Sequence, residues 1–572
     1  MSQSIIENYQ KNYQKWMNHQ GLDPNTKAEL VEIGRDEEKI KECFSAPLKF
    51  GTGGLRGIMR PGINSMNIYV VKQATQAMAN LINSTSKGEK CEQKKVVIAY
   101  DSRKNSELFA KEAAKTLAAS GIKVYIFDDI RPTPELSFAI RHHHCTAGIN
   151  ITASHNPKQY NGYKAYWEDG GQLPPDHADI VEAAINKIDI FTGVSGYDSD
   201  YNEMVEQGKI QIIGKDTDRK YLENVKSQCV RPEAIGQVPD FKVVYTPLHG
   251  AGYKLVPEVL ELLELKNLFT LKAQMSPDGD FPTVQKPNPE EPAALVSAIK
   301  LAEAEDCELV IATDPDCDRL GAAAKKTSGG EFGILTGNQI GALLLDYIIT
   351  AKKEDNSLKP NHFAVTTIVT TELASKICEK NKVELIRVLT GFKFIAEKIK
   401  EFEGKREFLF GYEESYGYLA GTYTRDKDAV LASALTVEMA AYYSRQNMTL
   451  FEALQELYEK YGYYSEVVDN IEFAGLDGAQ KMKDIMNRLR KNPPSELGGY
   501  KISKVIDYKK KAKSSGLKDD VLCFVLEKGS KVIIRPSGTE PKIKIYYLLS
   551  AACESSAALM AKKLKSAMAK FV

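Results

Sequence analysis

Three times along the chain a buried strand runs into a short polar or glycine-bearing turn, an amphipathic helix and a second strand. This recurrence constrains the fold more than any other feature. The copies are "KKVVIAYDSRKNSELFAKEAAKTLAASGIKVYIFD", "FKVVYTPLHGAGYKLVPEVLELLELKNL" and "HFAVTTIVTTELASKICEKNKVELIRV". Strands alternating with helices of this length make parallel β-α-β units, so the class is α/β. At 572 residues the chain exceeds what one hydrophobic core organises, and several domains are expected.

Each copy is followed by a further strand that empties into a loop crowded with polar groups: "GINITASHNP", "ELVIATDPDCDR" and "EFLFGYEESYGY". Parallel sheets place ligands at the carboxyl ends of their strands, so three such loops suggest one shared cleft. From about Tyr463 the pattern changes. "VVDNIEF" and "DDVLCFVLEKGSKVIIRPSGTEPKIKIYYLLSA" alternate as strands and "ESSAALMAKKLKSAMAKFV" follows as a helix, an α+β arrangement. The expected architecture is three similar α/β domains with mixed sheets plus a C-terminal α+β domain, around a central active-site cleft. Its divisions are expected at 1–206, 207–326, 327–462 and 463–572.

Composition excludes several functions. The 76 basic and 76 acidic side chains cancel, so affinity for an anion must come from local clusters, which argues against a nucleic-acid binder. The nine cysteines include no Cys-x-x-Cys pair and fit reduced cytosolic thiols. The N-terminal "MSQSIIENYQKNYQKW" lacks the apolar stretch of a secretory signal, and the apolar run near "IGALLLDYII" is broken too soon to cross a bilayer. A soluble cytoplasmic protein with no membrane partner is expected. The run His142, His143, His144 reads as a helix end or surface, because neighbours in sequence rarely converge on one ion.

The loops carry the chemistry. In "ATDPDCDRL", Asp314, Asp316 and Asp318 recur every second residue and Pro315 excludes a regular helix, so an extended loop would throw three carboxylates to one side. A solvated acidic turn has the same composition, but delivery by the apolar run "ELVIAT" favours a metal, and hard oxygen donors suit Mg²⁺. In "RPSGTEPK", Arg535 can fork onto two phosphate oxygens, Ser537 and Thr539 offer hydroxyls, and Gly538 admits backbone N–H groups, with Lys542 following. The alternative there is a plain turn. Glu413 and Ser415 in "FGYEESYGY" suit a polyol or a cation as well as a surface charge pair. Arg425 and Lys427 of "TRDKDAV" either neutralise a phosphate or end a solvated turn, and Thr390, Gly391 and Lys393 of "LTGFKF" are possible ligands. "GTGGLRGIM" lacks the Walker lysine spacing, yet Arg56 among its glycines is compatible with a phosphate.

Ser154 in "TASHNP" has no Gly-x-Ser-x-Gly elbow around it, and in an extended chain the adjacent His155 is badly placed to act as its base. An ordinary turn would account for it. Beside a metal loop and a phosphate loop, however, a phosphoserine here would bring oxygens to the metal and carry a transferable phosphoryl group.

"TASHNP", "DPDCDR", "GYEES" and "RPSGTEPK", in this order across nearly the whole chain, resemble the α-D-phosphohexomutases. The length and the pair "GYEESYGYL" and "RDKDA" are most similar to the longer phosphoglucomutases related to phosphopentomutase. The resemblance implies four domains around a cleft, one Mg²⁺ on Asp314, Asp316 and Asp318, and Ser154 phosphorylated and reaching the metal. It implies Lys164 as acid/base, His155 and Arg56 as active-site residues, and Arg319 beside the metal loop. Glu413 and Ser415 would grip sugar hydroxyls, with Thr390, Gly391, Lys393 and Lys427 also on the substrate, and Arg535, Ser537, Gly538 and Thr539 would hold the non-reacting phosphate. Cys317 replaces the alanine many members carry, and Gly417 stands where some bifunctional relatives have histidine, so their sugar specificity does not transfer.

The implied activity is reversible conversion of glucose 1-phosphate to glucose 6-phosphate through glucose 1,6-bisphosphate, by a monomer or homodimer acting on small sugar phosphates. Mannose or pentose phosphates are the alternative substrates. Reorientation of the bisphosphate implies a swivel of the last domain between about Gly462 and Asn470. Lys164 as general base would require a pKa lowered toward neutrality. Two rivals are an aspartate-nucleophile phosphatase, which "VIATDPDCD" imitates, and a non-catalytic sugar-phosphate binding protein.

Overall fold

The computed structural model describes residues 2–51, 53–85, 93–473, 478–510, 519–537 and 542–572. The chain divides into two compact units, Met1–Ala323 with Gly421–Ala441, and Ala324–Ala420 with Tyr442–Val572. No described helix is long and apolar enough to cross a membrane.

In the first unit, strands Lys95–Tyr100 and Lys123–Phe127 pair in parallel across the helix Ser106–Ala119. That helix buries Phe109, Ala110, Ala113, Ala114, Leu117 and Ala118, a stripe repeating at three to four residues that seats it on the sheet. The strand Ala147–Ile151 then lies parallel on the other side of Lys95–Tyr100. Tyr160–Trp167 returns antiparallel beside it and Leu55–Ile58 pairs antiparallel with that strand. The second repeat uses the same order. Lys242–Thr246 pairs in parallel with Asn267–Thr270 on one side and with Leu309–Thr313 on the other, and Leu320–Lys325 follows at the next position. The strand Leu320–Lys325 spans the division between the units.

In the second unit, His362–Thr367 pairs in parallel with Glu384–Val388 and with Glu407–Tyr412, and Tyr418–Ala420 returns antiparallel. In all three repeats the chain moves one way from the first strand and then crosses to its other side. The loops after Ile151, Thr313 and Tyr412 therefore leave the sheets next to a reversal of strand order, where the carboxyl ends of parallel strands open a crevice. The sheets are mixed because each loop is followed by a strand that runs back.

From Tyr463 on, the described residues include a six-stranded antiparallel sheet and the helices Gly478–Lys491 and Glu554–Met568. Lys531–Pro536 and Lys542–Ala551 pair antiparallel within that sheet. Tyr463–Glu472 pairs with Lys542–Ala551 along its whole length. Most of the segment in which a swivel was expected, Gly462 to Asn470, is thus paired strand, and Gly462 just before it has φ 100°.

Candidate active site

Ser154 follows the strand Ala147–Ile151 in a tight turn. Its N–H donates to Thr152 Oγ1 at 2.8 Å, and Asn156 N donates back to the Ala153 carbonyl at 3.1 Å. This turn holds Ser154 in the left-handed region at φ 51°. The chain is thus not extended there, and His155 Nδ1 lies 3.1 Å from Ser154 Oγ, which corrects the expected misplacement of the imidazole. Burial first, and then Arg319 and Arg56, hold His155 well below its ordinary pKa, so the ring is neutral.

The aspartate loop is also a turn and not an extended segment. Cys317 N donates to the Asp314 carbonyl at 2.8 Å and Cys317 has φ 53°. The expected carboxylates are brought together by this turn and not by an extended backbone. Asp314 Oδ1 accepts from the N–H groups of Asp318 and Arg319, both at 3.0 Å, which locks the carboxylate under the turn. Its Oδ2 accepts from Ser154 Oγ at 2.8 Å. Asp316 Oδ2 accepts from Thr133 Oγ1 at 2.8 Å and from Lys164 Nζ at 2.6 Å. Asp318 Oδ2 lies 2.9 Å from Lys427 Nζ and 3.3 Å from Lys164 Nζ.

One oxygen each of Asp316 and Asp318, Oδ1 in both, is buried without a hydrogen-bond donor. Ligand oxygens of the three aspartates lie within 4.8 Å of one another. Buried carboxylate oxygens without donors, in an all-oxygen set of this size, fit a divalent cation. Burial and then the neighbouring carboxylates push Asp314 well above its ordinary pKa. Asp318 is held below its own, because Lys427, Lys164 and Arg319 outweigh the burial.

Lys164 sits on Tyr160–Trp167 opposite Asn150, which aims its side chain at the aspartate loop. Burial lowers its pKa, but Asp316 and Asp318 more than compensate and the net direction is up. The lowered value expected for a general base is corrected: the amine is held as an ammonium. Arg56 donates to Asn156 Oδ1 at 2.8 Å, on the outer flank of the serine loop. Arg319 donates to Glu290. Lys427 packs beside Asp318. Arg425 does not end a solvated turn: it is buried and donates to the carbonyls of Thr422 and Thr424.

In the second unit, Glu413 N–H donates to the Gly417 carbonyl at 2.9 Å, closing the loop after Glu407–Tyr412. Glu413 Oε1 accepts from Gly391 N at 2.9 Å, which ties this loop to the segment carrying Thr390 and Lys393. Ser415 is half-buried in the same loop. Burial pushes the Lys393 pKa down, with Glu397 and Asp519 opposing and Arg535 adding to the fall. Arg535 ends the strand Lys531–Pro536 with its Nε 3.5 Å from Asp519 Oδ2, and Ser537 N donates to the Lys542 carbonyl at 2.8 Å. Gly538 and Thr539 lie outside the described residues.

Sequence reasoning missed Thr133, Arg103 and Asp426. Thr133 N donates to the Asp316 carbonyl at 2.9 Å, and Asp426 takes the Tyr166 hydroxyl at 2.7 Å. For Arg103 a signal was present: "AYDSR" puts Asp101 and Arg103 directly after a buried strand, the position that drew attention to the other loops.

Three mixed α/β repeats with polar loops at their crossover points, one carrying a serine on buried aspartates, define a class of multidomain enzyme folds. Known proteins match it throughout. Residues 47–190, 219–329 and 336–461 match the phosphoglucomutase/phosphomannomutase alpha/beta/alpha domains I, II and III. The chain is 36% identical over 527 residues to the phosphoglucomutase of Staphylococcus saprophyticus, covering 90% of this chain and 92% of that protein. It is 35% identical to the phosphoglucomutase of Staphylococcus aureus, over 89% of this chain and 91% of that one. Among solved structures, the open form of parafusin, a phosphoglucomutase from Paramecium, superposes with TM-score 0.71 at 20% identity over 92% of this chain and 95% of its own. A phosphoglucomutase/phosphomannomutase family protein from Burkholderia thailandensis gives 0.66 at 18%, over 91% and 97%. The chain belongs to the α-D-phosphohexomutase superfamily.

Proposed function

We propose that this protein is a phosphoglucomutase, interconverting glucose 1-phosphate and glucose 6-phosphate through glucose 1,6-bisphosphate, which also primes the enzyme. The observation that carries this reading is the 2.8 Å hydrogen bond from Ser154 Oγ to Asp314 Oδ2, at the edge of the three-aspartate set. A hydroxyl so placed suits a phosphoryl carrier: the phosphoserine P–O bond breaks as a sugar hydroxyl oxygen binds phosphorus, the hydroxyl proton passing to solvent while the serine oxygen takes one from Lys164. The second phosphate of the bisphosphate later returns to the serine oxygen, whose proton goes back to Lys164 as the freed sugar oxygen is protonated from solvent. Mg²⁺ held by Asp314, Asp316 and Asp318 would neutralise charge on the transferring group.

The chain's own groups do the remaining work. Lys164 and Lys427 keep Asp316 and Asp318 ionised and add positive charge. Neutral His155 orients the serine oxygen, and Arg56 braces the loop through Asn156. Lys164, as an ammonium, is the proton donor to the serine oxygen when phosphate leaves it. On the second unit, Glu413, Ser415 and Lys393 offer groups suited to a sugar, and Arg535 and Ser537 offer groups suited to a phosphate.

The test is a panel of glucose, mannose, ribose and deoxyribose 1-phosphates with Mg²⁺ and glucose 1,6-bisphosphate, paired with mass spectrometry of the Ser154 peptide. Highest kcat/KM for the glucose ester with phosphate on Ser154 is expected. Preference for another sugar overturns the glucose assignment, and turnover without labelled serine overturns the carrier.

A further inference from the structure

Behind the serine loop lies a set of contacts to which the catalytic reading gives no task. The Arg103 guanidinium donates to four carbonyls of one loop: Ser154 at 2.5 Å, Pro157 at 3.0 Å, Tyr160 at 2.9 Å, and Asn156. Its Nε lies 3.3 Å from Asp101 Oδ2, and both side chains are fully buried. A planar fork of fixed donors dictates where its acceptors lie, so Arg103 sets the path of residues 154–160.

The guanidinium is itself gripped from the second repeat. Its Cζ lies 5.1 Å from the centroid of the Phe281 ring. Phe281 is 2% exposed and has φ 46°, a conformation a bulky side chain keeps only where its surroundings over-determine it. Gly279 packs so closely on the adjoining backbone that a Cβ there would meet Lys104 N at 2.5 Å and the Arg103 carbonyl carbon at 2.9 Å. Asp280 pairs with Lys104 at 2.8 Å and with Lys158, inside the serine loop, at 3.3 Å.

We infer that Gly279, Asp280 and Phe281, acting through Arg103, clamp the serine loop and thereby set the rate of phosphoryl exchange at Ser154. They are positioning residues, since none of them touches Ser154 Oγ or the aspartate set. The inference rests on the reading of Ser154 as phosphoryl carrier. A displacement of about 1 Å at a reacting atom costs roughly a hundredfold in rate, whereas binding of the sugar phosphate through other loops is untouched.

The experiment uses full-length, dephosphorylated Phe281→Leu and Gly279→Ala, treated with glucose 1,6-bisphosphate and Mg²⁺ and followed by rapid-quench intact mass. Phosphorylation of Ser154 should slow by about 10- to 100-fold, with the KM for glucose 1-phosphate within about twofold of wild type. An unchanged rate, or a KM that rises in step with the fall in rate, overturns the clamp. If one variant fails to fold, the other decides. Ser154→Ala run alongside separates the two readings: turnover in that variant sinks the carrier, whereas labelled wild type with unaffected clamp variants sinks only the clamp.

Discussion

Ser154 Oγ donates to Oδ2 of Asp314 over 2.8 Å, joining the loops of the first and second repeats at one oxygen. If that oxygen carries the phosphoryl group, Ser154→Ala should lower kcat by a factor on the order of 10³ or more and abolish labelling by bisphosphate. Asp314→Asn, which keeps the size but not the charge, should leave a labelled yet slow enzyme. Steady-state assays with intact-mass measurement check both.

The donorless Oδ1 atoms of Asp316 and Asp318 predict a stability linked to a divalent cation. A ligand that binds only the folded chain adds about 2.7 kcal/mol at a hundredfold excess over Kd. Thermal unfolding with Mg²⁺ should therefore move upward in midpoint, EDTA should reverse the shift, and Asp316→Asn with Asp318→Asn should remove it. A melting curve indifferent to Mg²⁺ would deny the site its ion.

Lys427 and Lys164 together compensate Asp318, which is 1% exposed. Removing one cation from a buried pair leaves an uncompensated charge, normally worth 3–5 kcal/mol, and the surviving Lys164 reduces the loss to about 2–3 kcal/mol. Lys427→Met should destabilise the first unit by that amount in urea, followed by the fluorescence of Trp16 and Trp167, both in that unit. Adding Asp318→Asn should recover part of the loss. Strictly additive effects would show that the pair is not coupled.

The repeats were legible because parallel strands buried on both faces write themselves as apolar runs, and the helices between them as stripes of period 3.6. Their loops were legible because polar clusters cannot sit at the end of such a run without a purpose. Backbone sign was hidden. Neither Ser154 nor Cys317 is a residue type that announces a left-handed φ, so both loops were read as extended. That Lys427 meets Asp318 is a tertiary fact which no local pattern announces. Phe281 escaped for the same reason, whereas Arg103 stood in view after a buried strand, and only its task of serving carbonyls was hidden.

In the second unit, Glu466 on the strand Tyr463–Glu472 has its carboxyl buried, with Oε1 lacking any hydrogen-bond partner. Arg387 is nearby but does not rescue it. Its NH groups are committed to the carbonyls of Thr367, Thr370 and Thr371 and to Ser375 Oγ, and its charge is shared with Glu372 at 3.4 Å. Burial therefore pushes Glu466 up to about 7, against a slight opposing pull from Thr371 and Arg387. An unfolded glutamate titrates near about 4.3, so between those values the folded strand holds a proton that the open strand releases. The stabilisation is complete below about pH 4, falls as pH rises, and is gone above the folded value of about 7. Amide protection in Tyr463–Glu472, corrected for intrinsic exchange, should consequently decline from pH 5 to pH 8. Glu466→Gln, neutral throughout, should abolish that decline and exceed wild type at pH 8. A wild-type protection factor independent of pH would mean that the carboxyl finds a partner in solution.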